Sequence, residues 1–209
     1  MTRVGIYPGS FNPPTRAHVA IARAALEQRG LDRVVLAHSP SVLGKSDVER
    51  PLFRHRVAVL EAVAADEAPW LAATVTTHRL LADIAAGYEV VVMGADKWHQ
   101  IQELQWYGDS EAERDAALAR LPELAIAPRP PLAVPSRWAL AVPDEAVAGV
   151  SSTGARAGNV DLMAPAARRF AEATGAWIDP DRYERYLAAE AAAPPDPAPA
   201  DTDAPTDVT

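Results

Sequence analysis

The sequence predicts an α/β fold built on a doubly wound parallel sheet, and two observations support that prediction. Short apolar runs typical of strands alternate along the chain with segments of helical periodicity. The run YEVVVMGAD at 88–96 is rich in β-branched residues and ends in Gly and Asp, as expected for a strand that is buried on both faces. Ligands of such sheets bind outside the carboxyl ends of the strands, so a site is expected in the loops that follow them.

Each predicted element has its own signal. Apolar or β-branched runs predict strands at 3–7, 33–38, 71–78, 88–96 and 138–143. Helical periodicity predicts helices from residue 15 to Gly30, over 51–66, and over 79–87. The arrangement predicts that Gly9, Asp96 and the loop after His38 lie together at the ligand-binding edge of the sheet.

The second half of the chain is less regular. Between 107 and 137 the pattern predicts an acidic helix followed by a proline-rich connection that could cover the site. Residues 191–209 are almost entirely Pro, Ala, Thr and Asp, a composition that predicts a disordered tail because it cannot bury an apolar core. The prediction is therefore a single Rossmann-like domain over residues 1–190.

Composition argues against several classes of protein. The net charge of −8 argues against a nucleic-acid-binding protein, which would present a basic surface. The chain has no cysteine, which excludes disulfides and thiolate metal ligands, and its five histidines lack zinc-ligand spacing. No apolar run approaches the ~20 residues of a membrane span, and no leader is apparent, so we expect a cytoplasmic protein with no membrane partner. Whether it forms a homo-oligomer is left open.

The turn after the first strand has the features of a phosphate site. With Thr15 as the N-cap, His18 occupies the third helical position, beside the unpaired N–H groups and the positive end of the helix dipole. Gly9 permits close backbone approach, and Pro13 and Pro14 stiffen the turn. An ordinary helix start with a surface histidine would look the same.

A second phosphate signal lies at 149–158, GVSSTGARAG. It superficially matches G-x-x-x-x-G, but Ala155 and Arg156 replace the Lys and Ser/Thr of a Walker A motif, which argues against a P-loop NTPase. Hydroxyl groups and a guanidinium at a helix start suit phosphate oxygens. The alternative is a capped helix with a solvent-facing arginine.

Four segments, taken in order, resemble the signatures of one family. GSFNPPTRAH at 9–18 is similar to the first signature of the nucleotidylyltransferase superfamily, and VSSTGAR at 150–156 is similar to its I-S-S-T-x-x-R signature. HSPSVLGK at 38–45, followed by the dipeptide HR, and GAD at 94–96, followed by a tryptophan, resemble its middle landmarks. The resemblance is to the nicotinate and nicotinamide mononucleotide adenylyltransferases in particular and covers about residues 3–190.

This chain departs from the family pattern at two positions. Ala17 stands where the family often has Gly, and Thr15 stands where many members have His. Thr is an accepted variant at the second of these positions.

The resemblance implies that the 5′-phosphate of a pyridine mononucleotide attacks the α-phosphorus of ATP, with release of pyrophosphate. Such a nucleophile is already ionised, so catalysis reduces to alignment and charge stabilisation. Mg²⁺ is expected to enter with ATP, without a metal site of the protein's own.

The implied site residues fall into three groups. The catalytic group is His18, Thr15 and Arg156. The ATP and phosphate group is Gly9, Ser10, Phe11, Lys45, Ser152 and Thr153, with Lys45 equally explicable as a solvated loop residue. The substrate and ribose group is Gly94, Asp96, Trp106 and Arg56. Trp98 competes with Trp106 for stacking on the pyridine ring, Arg56 could equally be structural, and the role of Lys97 is left open.

Two alternatives remain at this stage. One is another transferase of the superfamily, acting on phosphopantetheine or a cytidylyl substrate. The other is a sensor that binds ATP or NAD on the same fold without turnover.

Overall fold

In the computed structural model, which describes residues 2–39 and 50–192, one parallel sheet of five strands organises the chain. The strands are β1 (Val4–Gly9), β2 (Arg33–His38), β3 (Leu71–Val75), β4 (Val90–Gly94) and β5 (Glu123–Ala127). Their order across the sheet is β3-β2-β1-β4-β5. The strand order therefore reverses at β1, which is where doubly wound sheets open a crevice for ligands. The predicted fold class is confirmed.

Helices precede or follow every strand. They are α1 (Arg16–Gln28), α2 (Phe53–Asp66), α3 (Leu81–Ile84), α4 (Ala95–Gln100), α5 (Glu111–Ala119), α6 (Asp144–Val147), α7 (Ser152–Arg156), α8 (Pro165–Thr174) and α9 (Pro180–Ala192). Short 3₁₀ turns at Leu104–Tyr107 and Val160–Leu162 join some of them. None of the helices in the described ranges has the length and apolar character needed to cross a bilayer.

The register of the strands brings the ends of β1, β2 and β4 to the same edge of the sheet. β1 pairs with β2 from Val4 opposite Arg33 to Gly9 opposite His38, so both strands end at the same level. β4 flanks β1 on its other side and ends at Gly94. The backbone N–H of Thr76 donates to the carbonyl of His38 at 2.9 Å, which extends the pairing of β3 with β2 by one residue.

The two faces of the sheet carry separate cores, as the alternation of side chains along a strand requires. Val34 and Leu36 point to the face covered by α1 and α2, where Leu60 and Val63 are buried against them. Val35 and Ala37 point to the opposite face, which contains Leu81 of α3 and Ile101 after α4. The two faces consequently present different surroundings at the ligand-binding edge.

The irregular second half contains the main differences from the sequence prediction. β5 was not predicted, although Leu124–Ala127 is a buried apolar run that pairs along β4. The strand predicted at 138–143 is wrong: it is reduced to a single bridge between Ala139 and Ile126. Pro135 and Pro143 bracket that segment, and because proline has no N–H the pairing cannot extend.

Two predicted boundaries also shift. The helix predicted over 79–87 is confined to the four residues of α3. The domain boundary predicted at residue 190 falls inside α9, which continues through Ala192. The remainder of the predicted tail lies outside the described residues.

Helix α9 is anchored on the start of α2 by a relay of hydrogen bonds in which Tyr183 and His55 are buried. The Tyr183 hydroxyl accepts from the Leu52 N–H at 3.0 Å and donates to Nδ1 of His55 at 2.6 Å. Nε2 of His55 lies 2.9 Å from the Glu190 carboxylate, which can only accept, so Nε2 carries the proton. The hydrogen bonds of Arg54 and His55 lower the pKa of Glu190, which keeps this end of the relay ionised.

We expect Tyr183→Phe to lower the free energy of unfolding by about 1–3 kcal/mol, because it leaves the buried His55 nitrogen and the Leu52 N–H without their partner. Urea unfolding measures the change. Tyr186→Phe is the matched control, because among the described residues the Tyr186 hydroxyl makes no hydrogen bond. Equal effects of the two substitutions would contradict a stabilising relay.

Candidate functional site

The turn after β1 is shaped around a buried aromatic ring. Phe11 adopts a positive φ of 40° and is only 2% exposed, with its ring edge-on to His18 at 5.1 Å between centroids. A Cβ at Gly9 would lie 2.9 Å from the Phe11 ring, so glycine is required for Phe11 to fold back over the strand end. The side chain of Phe11 therefore belongs to the core, and only its backbone is available to a ligand.

Thr15 is the N-cap of α1, and His18 is the third helical residue, as predicted. The Thr15 N–H donates to Nδ1 of His18 at 2.9 Å, and Oγ1 of Thr15 lies 2.8 Å from the same nitrogen. Because a backbone N–H can only donate, Nδ1 must be unprotonated, and the neutral imidazole carries its proton on Nε2. No acidic residue lies in the first turn of α1. The helix start thus combines unpaired N–H groups with a preset imidazole donor.

The two predicted phosphate segments touch each other, although 139 residues separate Pro13 from Ser152. The carbonyl groups of residues 12, 13 and 14 each accept a hydrogen bond from the segment 152–164. Their donors are the Arg156 guanidinium, the Ser152 hydroxyl at 2.8 Å and the Ala164 N–H at 3.0 Å. The Trp177 indole N–H donates to Asn12 Oδ1 at 2.6 Å and closes the same contact.

Some side chains of the segment 152–164 use hydrogen-bond donors to hold this contact. The single proton of the Ser152 hydroxyl is donated to Pro13, so the hydroxyl acts as a docking group. Arg156 donates to Asn12 and, at 3.2 Å, to Oγ1 of Thr153. A guanidinium has five N–H donors, so these bonds leave Arg156 with capacity toward a ligand. The cap of α7 is Ser151, whose hydroxyl accepts from the Gly154 N–H at 3.0 Å.

At the end of β2, His38 is a buried polar residue. The sequence predicted a site in the loop that follows it but no role for His38 itself. It is 1% exposed and stacks on Phe53 at 5.0 Å between ring centroids. Nδ1 lies 3.4 Å from the Gly9 carbonyl, and Nε2 has no hydrogen-bond partner within the described ranges. Burial, with the positive charge of Arg56 as a second cause, lowers the pKa of His38 to about 4, so the imidazole is neutral at pH 7.

Of the basic residues predicted near this loop, one lies within the described ranges. Arg56 is buried in α2, 5.4 Å from the centroid of the Phe53 ring, and burial lowers its pKa. Arg56 therefore packs beside the stacked rings of His38 and Phe53, at the end of β2. Lys45 lies outside the described residues.

The end of β4 brings Gly94 and Asp96 to the same edge. Asp96 is the second residue of α4, is exposed, and lies 3.5 Å from Arg129. A Cβ at Gly94 would lie 2.6 Å from the Asp96 carboxylate, so the glycine makes room for that carboxylate to fold back over the strand end. Lys97 follows, and its ammonium donates to Oε1 of Gln100.

A cavity opens at this edge on the face of the sheet that carries α3 and α4. Its lining comes from the ends of β1 and β2, the segment after β3, and helices α3 and α4. The lining residues are Pro8, Gly9, Ala37, Ser39, Thr76, His78, Arg79, Leu81, Ile84, Lys97 and Ile101. Among the described residues, the lining contains two cationic side chains and a histidine but no carboxylate, in a chain whose net charge is −8.

The two candidate tryptophans are both outside this lining. Trp98 packs edge-on against Trp138 at 5.0 Å between centroids, within the core under α4. Trp106 borders a second cavity with Tyr107 and Ala117, and its indole N–H is buried without a partner among the described residues. The structure therefore assigns Trp98 to packing, and stacking by Trp106 stays a prediction.

Three groups of residues at the candidate site were not predicted from the sequence. Trp177 and Ala164 support the turn from positions without a motif. His38 was noted only for the loop that follows it. Arg79 and its neighbours lie after β3, and the rule that ligands bind at the carboxyl ends of strands, applied to β3 as it was to β1 and β4, would have found them. No cluster of three acidic or histidine side chains that could hold a metal occurs in the described part of the chain.

Together these features define the class: a doubly wound α/β protein with an anion-favouring helix start at its topological switch point. The chain belongs to the cytidylyltransferase-like family, whose model matches residues 6–158.

Sequence relatives carry more specific names. A protein of Rhizobium etli named "Probable nicotinate-nucleotide adenylyltransferase" is 32% identical over 117 residues, which are 48% of this chain and 61% of the relative. A protein of Bacillus pumilus with the same name is 30% identical over 122 residues, which are 50% of this chain and 65% of the relative. The chain thus spans less than two thirds of the length of these relatives.

A solved structure supports the fold assignment independently. Nicotinic acid mononucleotide adenylyltransferase of Plasmodium falciparum, complexed with NaAD, superposes with a TM-score of 0.54 at 14% sequence identity. The match covers 85% of this chain and 98% of that one. At this identity the likeness establishes the fold alone.

The low pKa of His38 predicts how stability depends on pH. The folded state holds this pKa at about 4, below the ordinary 6.5, so the unfolded state binds the proton more tightly. The stability is fully present above pH 6.5 and is lost as pH falls toward 4. Between pH 7 and pH 5 we expect a loss of about 2 kcal/mol from this residue.

Urea unfolding of His38→Gln at the two pH values checks this expectation, because the variant should lose that part of the pH dependence. His78→Gln, which removes an exposed histidine, serves as the control. An unchanged pH dependence in His38→Gln would contradict the assignment of His38 as a buried neutral group.

Proposed function

We propose that this protein transfers the adenylyl group of ATP to the 5′-phosphate of nicotinate or nicotinamide mononucleotide, a step of NAD biosynthesis. A phosphate oxygen of the mononucleotide forms a bond to the α-phosphorus of ATP, and the bond from that phosphorus to the bridging oxygen of the β-phosphate breaks. The products are a dinucleotide and pyrophosphate. The names of the sequence relatives support the nicotinate form as substrate.

The observation that carries the proposal is the contact between the turn at 12–14 and the segment 152–164. It joins the start of α1, with His18, to Arg156 on one side of the switch point. A triphosphate needs donors and cations spread over several ångströms, and this contact supplies them from two segments held in fixed relation. A helix start alone would bind a single phosphate.

His18 is the main catalytic residue in this proposal. Its Nε2–H donates to a non-bridging oxygen of the α-phosphate, where negative charge builds in the transition state, and the N–H groups at the start of α1 assist. Thr15, through its contacts with Nδ1, fixes both the tautomer and the direction of the ring. No general base is needed because the attacking phosphate is already ionised.

The other phosphate-binding groups contact the triphosphate of ATP. Arg156 binds the β- and γ-phosphates with its remaining N–H groups, assisted by Thr153 and the backbone of Ser152. The backbone of Gly9, Ser10 and Phe11 lies along the triphosphate, and Lys45 adds a cation from its loop. Mg²⁺ arrives with ATP as part of that substrate.

The mononucleotide occupies the cavity on the α3 and α4 face, where the absence of acidic side chains among the described lining residues suits an anion. Gly94 and Asp96 contact a ribose, as carboxylates at strand ends do in related sheets. Arg56 supports this edge of the sheet by packing beside the Phe53 ring. Stacking on the pyridine ring by Trp106 requires the 104–107 turn to approach the cavity when substrate binds.

The proposal extends to the organisation of the chain. The chain through Ala192, the end of α9, forms one catalytic domain. The protein acts in the cytoplasm on these small molecules. It needs neither nucleic acid nor a membrane.

The test is pyrophosphate release from Mg-ATP with nicotinate mononucleotide, nicotinamide mononucleotide or phosphopantetheine. We expect release with a pyridine mononucleotide and none with phosphopantetheine. His18→Asn is the sharpest variant, because the asparagine oxygen can still accept from the Thr15 N–H while the Nε2–H donor is lost. We expect the rate to fall about 100-fold, the typical effect of removing one such donor, with an unchanged melting temperature.

His99→Asn is the matched control, since that histidine lies outside the site and contacts the Ala133 carbonyl. Trp106→Leu in the same assay tests ring stacking. Release with phosphopantetheine alone would replace the proposed substrate, and ATP binding without any release would make the protein a sensor. Full turnover by His18→Asn would contradict the assigned catalytic role.

A further inference from the structure

The segment between β3 and α3 places an arginine against the cavity. β3 pairs with β2 up to Thr76, which is hydrogen bonded to His38, so the chain leaves the sheet two strands away from β1. At the usual strand spacing this is about 10 Å across the sheet. Arg79 then turns back to line the cavity, immediately before Leu81 begins α3.

No carboxylate in the described part of the chain pairs with Arg79. Among the described residues it makes no hydrogen bond, ion pair or ring contact. Most other arginines of the described chain behave differently: Arg3, Arg120 and Arg168, for example, all pair with carboxylates. With 28 acidic residues in the chain, an arginine that lines a cavity without a carboxylate among its described lining residues is well placed to bind an anionic group of a ligand.

The cavity contains a second cation at a different place. Lys97 lies in the first turn of α4, directly after β4, and β4 is the neighbour of β1. The phosphate of the mononucleotide must approach the α1 start, which follows β1, so Lys97 is the cation on the phosphate side. Arg79, on the segment after the edge strand β3, is on the side that the pyridine ring would reach.

We propose that Arg79 is the specificity-determining residue for the pyridine ring and selects the acid, nicotinate, over the amide, nicotinamide. This inference rests on the proposed function. A guanidinium presents two parallel N–H donors, which match the two oxygens of a carboxylate. An amide presents one acceptor and an NH₂ group, so one donor of the guanidinium would face another donor and lose its bond to water.

The test compares the kcat/KM values for nicotinate and nicotinamide mononucleotide, with saturating Mg-ATP, in the full chain and in Arg79→Gln. We expect the substitution to lower kcat/KM for the nicotinate form ~10- to 100-fold, mainly through KM, and to leave the nicotinamide form within a few-fold. Arg79→Lys keeps the charge but not the fork, so it should retain only part of the acid preference.

Arg33→Gln is the matched control. Arg33 is also an exposed arginine without a partner among the described residues, but it begins β2 at the opposite end of the sheet from the cavity. Its ratio of acid to amide turnover should equal that of the unsubstituted protein. Because Arg79 is exposed, its substitution should leave the melting temperature unchanged.

The possible outcomes distinguish a failure of the inference about Arg79 from a failure of the proposed function. An equal loss for both mononucleotides in Arg79→Gln would mean that Arg79 binds the phosphate, which overturns the inference and leaves the proposed function intact. An unchanged ratio with unchanged rates would also overturn it. Absence of turnover with either mononucleotide in the unsubstituted protein would overturn the proposed function and this inference together.

Discussion

Three consecutive backbone carbonyls, those of residues 12, 13 and 14, depend on donors from residues 152–164, and the candidate site depends on that contact. Two of these residues are prolines, so the turn cannot use its own N–H groups at those positions to stabilise itself. The Ser152 and Arg156 side chains and the Ala164 backbone satisfy the carbonyls instead. The result is that the first and last motifs of the chain form one surface.

The sheet then divides the surroundings of that surface. On the face of α1 and α2, the ring of Phe11 fills the space between His18 and the strand end, and His38 stays neutral because it is buried. On the face of α3 and α4, the described lining of the cavity combines apolar and neutral polar side chains with the cations Arg79 and Lys97, and it contains no carboxylate. An acidic protein can bind anionic nucleotides in this way, because local charge at the site, and not net charge, decides the interaction.

The sequence predicted best what local rules determine. Thr15 as N-cap and His18 at the third helical position follow from the spacing within one turn of helix, and both are confirmed. The bounds of β2 match the prediction, and β4 lies within the predicted run, because apolar β-branched runs define strands buried on both faces. β5 was missed because a five-residue apolar run between proline-rich and acidic segments gives little periodicity to detect.

Tertiary contacts account for what the sequence could not provide. The Ser152 hydroxyl was predicted to bind phosphate, but its proton goes to Pro13, a choice of acceptor that depends on the docking of two distant segments. Arg79 has no motif of its own and is notable only because the fold brings it to a cavity whose described lining contains no acidic residue. The choice between Trp98 and Trp106 as the stacking residue likewise depends on packing, because Trp98 packs against Trp138.

The most direct measurement of the central claim is the ¹⁵N spectrum of histidine-labelled protein at pH 7.5, with and without a non-hydrolysable Mg-ATP analogue. His18→Asn identifies the His18 signals by their loss. We expect the neutral tautomer protonated on Nε2 in the free protein, set by the Thr15 N–H at Nδ1, and a change in the Nε2 signal when nucleotide binds. A proton on Nδ1 alone, or an Nε2 signal indifferent to saturating nucleotide, would contradict it.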